Sequence, residues 1–114
     1  MKYFFLVIGL TFLTACSPED ASTTYVKVHK YDGSIQCKDT GIALDVMALE
    51  LINKGIDVVC SQKGHDGLSR ATVCEGDTGN INIYKIFRAN LTDAVSAGFV
   101  PVSMLSEYRD QACE

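Results

Sequence analysis

The chain has 114 residues, among them five cysteines, and its ten Lys or Arg against 14 Asp or Glu give a formal net charge of −4. This length fits one domain with a small hydrophobic core. The Lys and Arg residues form no block, which argues against nucleic-acid binding because phosphate neutralisation needs a clustered positive face.

The first sixteen residues have the order of an export signal. Met1-Lys2 is followed by an apolar run over residues 3–13 and then by Leu13-Thr14-Ala15-Cys16. A bilayer span needs roughly 18 or more apolar residues, so the shorter run here indicates a removed signal rather than a membrane anchor. We therefore predict a signal peptide over residues 1–15.

Leu13-Thr14-Ala15-Cys16 resembles the lipobox of bacterial lipoproteins. In that family the chain is cut before the Cys, its thiol receives diacylglycerol, and the new N-terminus is acylated too, for instance with palmitate. Several acyl chains on one residue give stable anchoring where one gives only marginal binding. The resemblance implies lipidation of Cys16, and Ser17 in place of the Asp that favours inner-membrane retention implies the outer membrane, facing the periplasm.

Two other interpretations of the start remain open. The signal could be an ordinary secretory one whose Cys16 joins a disulfide, or an N-terminal helix that stays. Cysteine parity favours the lipoprotein, because setting Cys16 aside leaves an even set of four: Cys37, Cys60, Cys74 and Cys113. Residues 16–24 then form the lipidated Cys with a polar tether, and residues 25–114 form a single domain.

The first half of this domain predicts strand, helix and strand. Alternation over Tyr25–Tyr31 indicates a half-buried strand that ends at the turn pair Asp32-Gly33. Apolar residues at three- and four-residue steps predict a helix over residues 42–54, with Asp39 or Thr40 as its N-cap and Gly55 at its C-terminal end. Residues 56–60 follow as a second strand.

The second half repeats that order after a glycine-rich loop over residues 61–80. Apolar and polar residues alternate over residues 81–87, which predicts a strand. Residues 90–97 are predicted to form a short helix, with Asn90 as N-cap and Asp93 placed to accept a hydrogen bond from its backbone amide. Residues 99–102 form a fourth strand, which Pro101 assigns to an edge because proline cannot donate to a ladder. In the C-terminal segment, residues 103–114, apolar side chains have a helical spacing.

Two strand–helix–strand halves predict an α+β fold. With right-handed crossovers they give the ferredoxin-like split βαβ sandwich (βαββαβ), four antiparallel strands under two helices. Strands one and three are neighbours in this topology, which favours a Cys37–Cys74 disulfide and leaves Cys60 for Cys113. Four cysteines allow three pairings, so the other two stay open.

The spacing of cysteines argues against a metal or redox site. No two cysteines lie closer than 14 positions, whereas zinc sites bring ligands in close pairs and thioredoxin-like sites need C-x-x-C. We therefore expect no metal and no cofactor.

The candidate binding loop combines His65 and Asp66 with Asp77 and Asn80. His65 beside Asp66 in Gly64-His65-Asp66-Gly67 suggests a general base with an orienting carboxylate, but neighbours on an extended chain point opposite ways. The oxygen donors around Asp77 lack the spacing and distal Glu of a calcium loop. A surface turn is the simpler interpretation of both stretches. His29 lies on the face of its strand opposite Val26 and Val28, where we expect a hydrogen-bonded or exposed imidazole.

Three stretches of the domain resemble a group of small exported bacterial proteins of unassigned function. They are residues 31–37, 63–68 and 79–84. The resemblance implies no activity.

The sequence therefore predicts a non-enzymatic binding or structural module of the cell envelope. Its expected partners are the membrane, through the lipid on Cys16, and an envelope protein. The alternative is an inhibitor of a lysozyme or protease that inserts a loop from residues 61–80. A third hypothesis is a small hydrolase that uses His65.

Overall fold

The structure is a computed structural model that describes residues 24–113. The predicted signal peptide, Cys16 and all but the last residue of the predicted tether lie outside the described residues. Within residues 24–113, no helix is long and apolar enough to cross a membrane.

Four strands and two α-helices make up the described chain. In chain order they are β1 (Tyr25–Tyr31), α1 (Leu44–Ile52), β2 (Val58–His65), β3 (Asn80–Phe87), α2 (Leu91–Ser96) and β4 (Val100–Pro101). A short 3-10 turn at Arg88–Asn90 precedes α2, and another at Val102–Met104 follows β4. The strands form one sheet in the order β2-β3-β1-β4, with every neighbouring pair antiparallel. The predicted α+β class is confirmed, with four antiparallel strands, two helices and two disulfides.

One face of the sheet packs against the helices and forms the core. Side chains alternate between faces along a strand, so the pairs Val28–Tyr84 and Val26–Ile86 in the β1–β3 register share this face. The buried core residues come from the sheet, both helices and the loops beside them: Val28, Met47, Ala48, Leu51, Ile56, Tyr84, Ile86, Ala94 and Phe99. Full burial of a large apolar side chain contributes about 1.5–3 kcal/mol.

The N-terminal ends of the helices differ from the predicted capping, whereas Gly55 has the left-handed backbone expected after α1, with φ of 79°. Ala43 is the N-cap of α1 and makes no side-chain cap hydrogen bond, so the prediction of Asp39 or Thr40 was wrong. The Thr40 hydroxyl oxygen instead accepts a hydrogen bond from the Ile35 backbone amide at 2.9 Å. It therefore stabilises the loop and does not cap the helix. Asn90 is the N-cap of α2 as predicted, but its side chain makes no cap bond either.

Strand β2 is longer than predicted. It extends to His65, so the first five residues of the stretch predicted as loop, residues 61–65, belong to the sheet. The sequence did not indicate this part of the strand because Ser61-Gln62-Lys63-Gly64 is polar. A polar run is tolerated here because β2 is an edge strand that pairs only with β3. Strand β4, by contrast, holds only Val100–Pro101 and lies at the opposite edge, as Pro101 required.

The second face of the sheet is covered by the C-terminal tail (residues 105–113). Lys27 Nζ donates to Asp110 Oδ1 and to the Gln111 carbonyl, both at 2.7 Å. The Cys60–Cys113 disulfide attaches the end of the tail to β2. Ile81 and Ile83 lie on this face and are both 0% exposed.

The tail covers that face without the predicted helical packing. After the 3-10 turn Val102–Met104 it has no regular helix, and the Met104 side chain is 72% exposed. The helical spacing of residues 103–114 was therefore misleading. The tail contains a turn at residues 106–107 and is fixed by hydrogen bonds from Lys27 and Gln62 and by the disulfide to Cys60.

His29 is buried on the second face of the sheet. Its side chain lies opposite Ile83 in the register, the residue is 3% exposed, and within the described chain Nδ1 has no hydrogen-bond partner. Burial lowers the pKa of His29, although a backbone hydrogen bond with Val100 and the charge of Asp66 act the other way. The sequence predicted an exposed or hydrogen-bonded ring. The ring is buried, is hydrogen-bonded to the backbone of Val100, and has one unpaired nitrogen.

We predict that His29 makes the protein less stable in mild acid. The pKa of His29 is lower in the folded protein than in the unfolded chain, where it is about 6.5. Above pH 6.5 the ring is neutral in both states and the unfolding free energy is unaffected. Below that pH the unfolded chain takes up the proton first, so the unfolding free energy falls with the pH. Urea unfolding at steps from pH 7.5 to 5 measures this, and His29→Leu should flatten the dependence. An equally steep dependence in His29→Leu would contradict the assignment.

Candidate functional site

Two loops meet at one end of the sheet and form the candidate site. They follow β1 (residues 32–43) and β2 (residues 66–79), and we call them together the loop end. The β1–β3 register brings Tyr31 beside Ile81, and the β2–β3 register brings His65 beside Asn80. Strand β1 runs from Tyr25 to Tyr31. The loop end therefore lies at the Tyr31 end of the sheet, opposite the end that contains Tyr25.

The Cys37–Cys74 disulfide joins the two loops. Both disulfides thus have the pairing that the topology favoured. Gln36 adds a set of hydrogen bonds around the disulfide. The Gln36 backbone N–H donates to the Gly76 carbonyl at 2.9 Å, and the Gln36 backbone carbonyl accepts from Glu75 N at 3.2 Å. The Gln36 side chain forms hydrogen bonds of 2.9–3.1 Å with the backbone of Ala71, Val73 and Asp77. The two loops therefore behave as one cross-linked unit.

Asp66 is the most strongly bound group of the loop end. Its side chain is 0% exposed and accepts from Arg70 Nη1 at 2.8 Å and Nη2 at 2.6 Å. The Leu68 amide at 3.0 Å and the Tyr31 hydroxyl at 2.8 Å complete its coordination. The guanidinium of Arg70 holds the pKa of Asp66 well below its usual range, against the opposing effect of burial. Charge-assisted, two-point bonds of this kind are the strong ones in proteins.

Asp32 plays a matching role in the first loop. Its side chain is 6% exposed and accepts from Lys63 Nζ at 3.1 Å and from the Ser34 amide at 2.8 Å. Burial alone would raise the pKa of Asp32, but the bonds from Ser34 and Lys63 outweigh it and the pKa is lowered. The Asp32 carbonyl also accepts from Ile42 N at 2.8 Å, which fixes the path of the chain toward α1.

His65 is fully engaged in the frame of the loop. Nδ1 accepts from the Gly67 amide at 2.9 Å, so we assign the proton to Nε2, which donates to the Thr78 carbonyl at 2.8 Å. Nδ1 also lies 3.6 Å from Asp66 Oδ1, but two acceptors cannot form a hydrogen bond with each other. The hypothesis that Asp66 orients His65 as a general base therefore has no geometric support.

A polar cavity of about 250 Å³ opens between the two loops. Its lining comes from the end of β1, the first loop, Arg70 and the start of β3: Tyr31, Asp32, Gly33, Ser34, Arg70, Asp77, Thr78, Gly79 and Asn80. Of the predicted loop residues, Asp77 and Asn80 line this cavity, while His65 and Asp66 do not. Within residues 24–113, no group of three or more His, Cys, Asp or Glu side chains is placed to hold a metal ion.

Comparison of the chain with protein-family models, with curated proteins and with solved structures gave no match. The site must therefore be interpreted from its own geometry.

Sequence reasoning missed the partners of the predicted residues. Arg70 follows Asp66 by four positions, a spacing that indicates a contact only on a helix, and the chain here is a loop. Asp32 was assigned only to a turn, and its bond to Lys63 depends on the unpredicted length of β2. Tyr31 closes a strand of alternating residues, and nothing in that pattern indicates a bond to Asp66.

Apolar side chains protrude from this fixed frame. Tyr31, Leu68 and Val73 are 45%, 47% and 53% exposed. Asp66 bonds the Tyr31 hydroxyl and the Leu68 amide, and Gln36 bonds the Val73 amide. A backbone that is already fixed loses little conformational entropy when a partner covers its side chains, so the loop end suits the binding of a protein.

We predict that Asp66→Asn loosens the loop end and costs about 1–3 kcal/mol of unfolding free energy, because buried donors lose a charged acceptor. Urea unfolding at pH 7 measures the loss. Since the pKa of Asp66 is depressed, the difference from the wild type should shrink as the pH falls below about 4. The matched control is Glu75→Gln, which makes the same change at the exposed Lys38–Glu75 pair, 3.6 Å apart, and should change nothing measurable. An equal effect in the two variants would contradict the structural role of Asp66.

Proposed function

We propose that the chain is a bacterial lipoprotein, held through acylated Cys16 to the outer membrane on its periplasmic side. The order of charge, apolar run and Leu-Thr-Ala-Cys supports this. Cysteine use supports it as well, since Cys37, Cys60, Cys74 and Cys113 pair with one another and leave Cys16 as the odd residue. Disulfides form and persist in exported compartments such as the periplasm.

We propose the ferredoxin-like sandwich as the fold. The elements run strand, helix, strand, strand, helix, strand, and the sheet order β2-β3-β1-β4 puts the first and third strands at the centre. Both features are those of the split βαβ arrangement.

The domain acts in this proposal as a non-enzymatic module that binds an envelope protein through its loop end. The observation that carries it is the set of exposed apolar side chains on a cross-linked frame, Tyr31, Leu68 and Val73. Strand β1 spans seven residues between the tether and this end, about 20 Å at 3.2–3.4 Å per residue. An anchor at Cys16 would therefore leave the loop end pointing away from the membrane.

Inhibition of a lysozyme or protease is the second candidate. Leu68 favours it, because this exposed apolar residue lies between the paired Asp66 and Arg70 and its amide is bonded to Asp66, so its backbone is fixed. A rigid protruding loop is what insertion into an active site requires. The third hypothesis, a hydrolase that uses His65, needs a free ring nitrogen, and both nitrogens of His65 are bound to backbone groups.

We predict that Cys16→Ala abolishes lipid attachment and moves the protein out of the membrane fraction. Metabolic labelling with a palmitate analogue measures attachment, and fractionation of the envelope measures location. The control is the Cys37→Ser, Cys74→Ser double variant, which should keep the label. Label retained in Cys16→Ala would contradict the lipoprotein assignment.

We predict that Leu68→Glu combined with Val73→Glu prevents capture of the partner. The full chain, purified in detergent, is used to capture proteins from solubilised envelopes of the cells that make it, and the captured proteins are identified by mass. Ile52→Glu is the matched control, since Ile52 is 50% exposed at the C-terminal end of α1, whereas the loop end adjoins the N-terminus of that helix. Equal capture by the two variants would refute binding through the loop end.

The identity of the captured protein separates the two candidates. A structural envelope protein supports the binding module. A lysozyme or protease supports the inhibitor, provided that the wild type slows that enzyme and the Leu68 variant does not.

A further inference from the structure

One edge of the sheet is incomplete beside the start of β1. Strand β4 pairs only with Val28 and His29. Tyr25, Val26 and Lys27 pair with β3 on their other side, and among residues 24–113 no strand lies against them on the β4 side. The 3-10 turn Val102–Met104 lies close to β1 but does not pair with it as a strand. The backbone groups of alternate residues in this segment point to the β4 side, and an edge of this kind is a template for another strand.

A groove runs along this free edge, which we call the edge groove. Its volume is about 440 Å³. The walls come from the start of β1, the end of β3, α2, the turn after β4 and the tail: Tyr25, Val26, Lys27, Lys85, Arg88, Leu91, Pro101, Val102, Ser103 and Asp110. The space is large enough for several side chains of an extended segment.

The two sides of the edge groove differ in chemistry. Val26 faces the helices, and Leu91 packs against the same core, so this side is apolar. Lys27 and Lys85 are opposite each other in the β1–β3 register and lie on the second face. A strand placed along Tyr25–Lys27 would point alternate side chains to these two sides.

Charge sets the preference for the occupant. Among residues 24–113, the second-face side of the lining places the cations Lys27 and Lys85 beside one carboxylate, that of Asp110. Asp110 is already bonded to Lys27 at 2.7 Å, while Lys85 Nζ lies 4.9 Å from the centre of the Tyr25 ring. This positive excess stands in a chain of net charge −4, so the edge groove complements an acidic segment.

The start of the opposite edge of the sheet is interrupted. Strand β2 has an irregularity between Val58 and Cys60, and the disulfide to Cys113 leaves from Cys60. Bulges and covered edges are how sheets avoid pairing with other chains. Free pairing is thus available at Tyr25–Lys27 and obstructed at the start of β2.

We propose that the edge groove binds an extended peptide of alternating acidic and apolar residues as an added strand on Tyr25–Lys27. Main-chain hydrogen bonds would supply affinity, and the apolar and cationic sides would supply specificity. Acidic side chains would face Lys27 and Lys85, and apolar ones would face Val26 and Leu91. This inference rests on neither Cys16 nor the loop end.

The test uses the full chain in neutral detergent and four synthetic probes. The first is acetyl-Glu-Val-Glu-Val-Glu-amide. The second has Lys for each Glu, and the third is the acidic sequence N-methylated at its three central residues, which cannot donate backbone bonds. The fourth is vesicles of phosphatidylglycerol with phosphatidylcholine. Binding is followed by the amide NMR shifts of Tyr25, Val26 and Lys27.

We expect the acidic peptide to shift these amides and to bind at least about tenfold more tightly than the Lys and N-methylated peptides, since lost backbone bonds and reversed charge each cost about 1.4 kcal/mol or more. Lys85→Glu should weaken it, and Lys38→Glu, at the loop end, should not. The peptide comparison keeps the test valid even if Lys85→Glu disturbs folding.

Three results would overturn the proposal. Equal binding of the N-methylated peptide would show that the strand edge is not used. Shifts caused by phosphatidylglycerol vesicles but by no peptide would assign the groove to a lipid surface. The absence of any shift at these amides with the acidic peptide at millimolar concentration would leave the edge groove without this ligand.

Discussion

The fold depends on how a small domain covers both faces of a single sheet. Two short helices cover one face, and no further helix among the described residues covers the other. The tail takes that place, held by the bonds of Lys27 to Asp110 and Gln111 and by the Cys60–Cys113 disulfide. Without this cover Ile81 and Ile83, now fully buried, would face water. For a domain with so small a core, a disulfide at this position contributes a large share of the net stability.

The tail also connects the second face to the loop end. Gly67 has a left-handed backbone with φ of 84° and packs so closely on the backbone of Glu107 that a side chain there would collide with it. Gly67 also donates to His65, and Asp66 beside it holds Arg70. Tail and loop thus support each other, and the strength of the Asp66 contacts explains how an irregular loop keeps one conformation.

The alternating strands and the cysteine pairing were accessible from the sequence. Alternation indicated β1 and β3 because each has one face in the core, and Pro101 indicated an edge because of its missing donor. The neighbouring positions of β1 and β3 then favoured Cys37–Cys74. Two disulfides that close separations of 37 and 53 residues follow from topology rather than from any local pattern.

Other features depend on contacts between distant segments and left no local signal. The polar part of β2 is a strand because β3 pairs with it, although Ser61–Gly64 alone predicts a loop. The His29 ring is buried and hydrogen-bonded to the backbone of Val100, a residue distant in the chain. At the candidate site, Asp77 and Asn80 were found from their composition, whereas Arg70, Tyr31 and Asp32 gain their roles through buried carboxylates that no spacing rule indicates outside a helix.

The position of Cys113 in the chain also bears on the order of events during synthesis. Every described strand and helix precedes the tail, and Cys113 follows its partner Cys60 by 53 residues. A chain synthesised from its N-terminus would thus produce the sheet and helices before the tail, with Ile81 and Ile83 still uncovered. The tail then completes the second face and brings the thiol that secures it. Closure of the domain would therefore wait for the tail and for an oxidant that forms the Cys60–Cys113 disulfide.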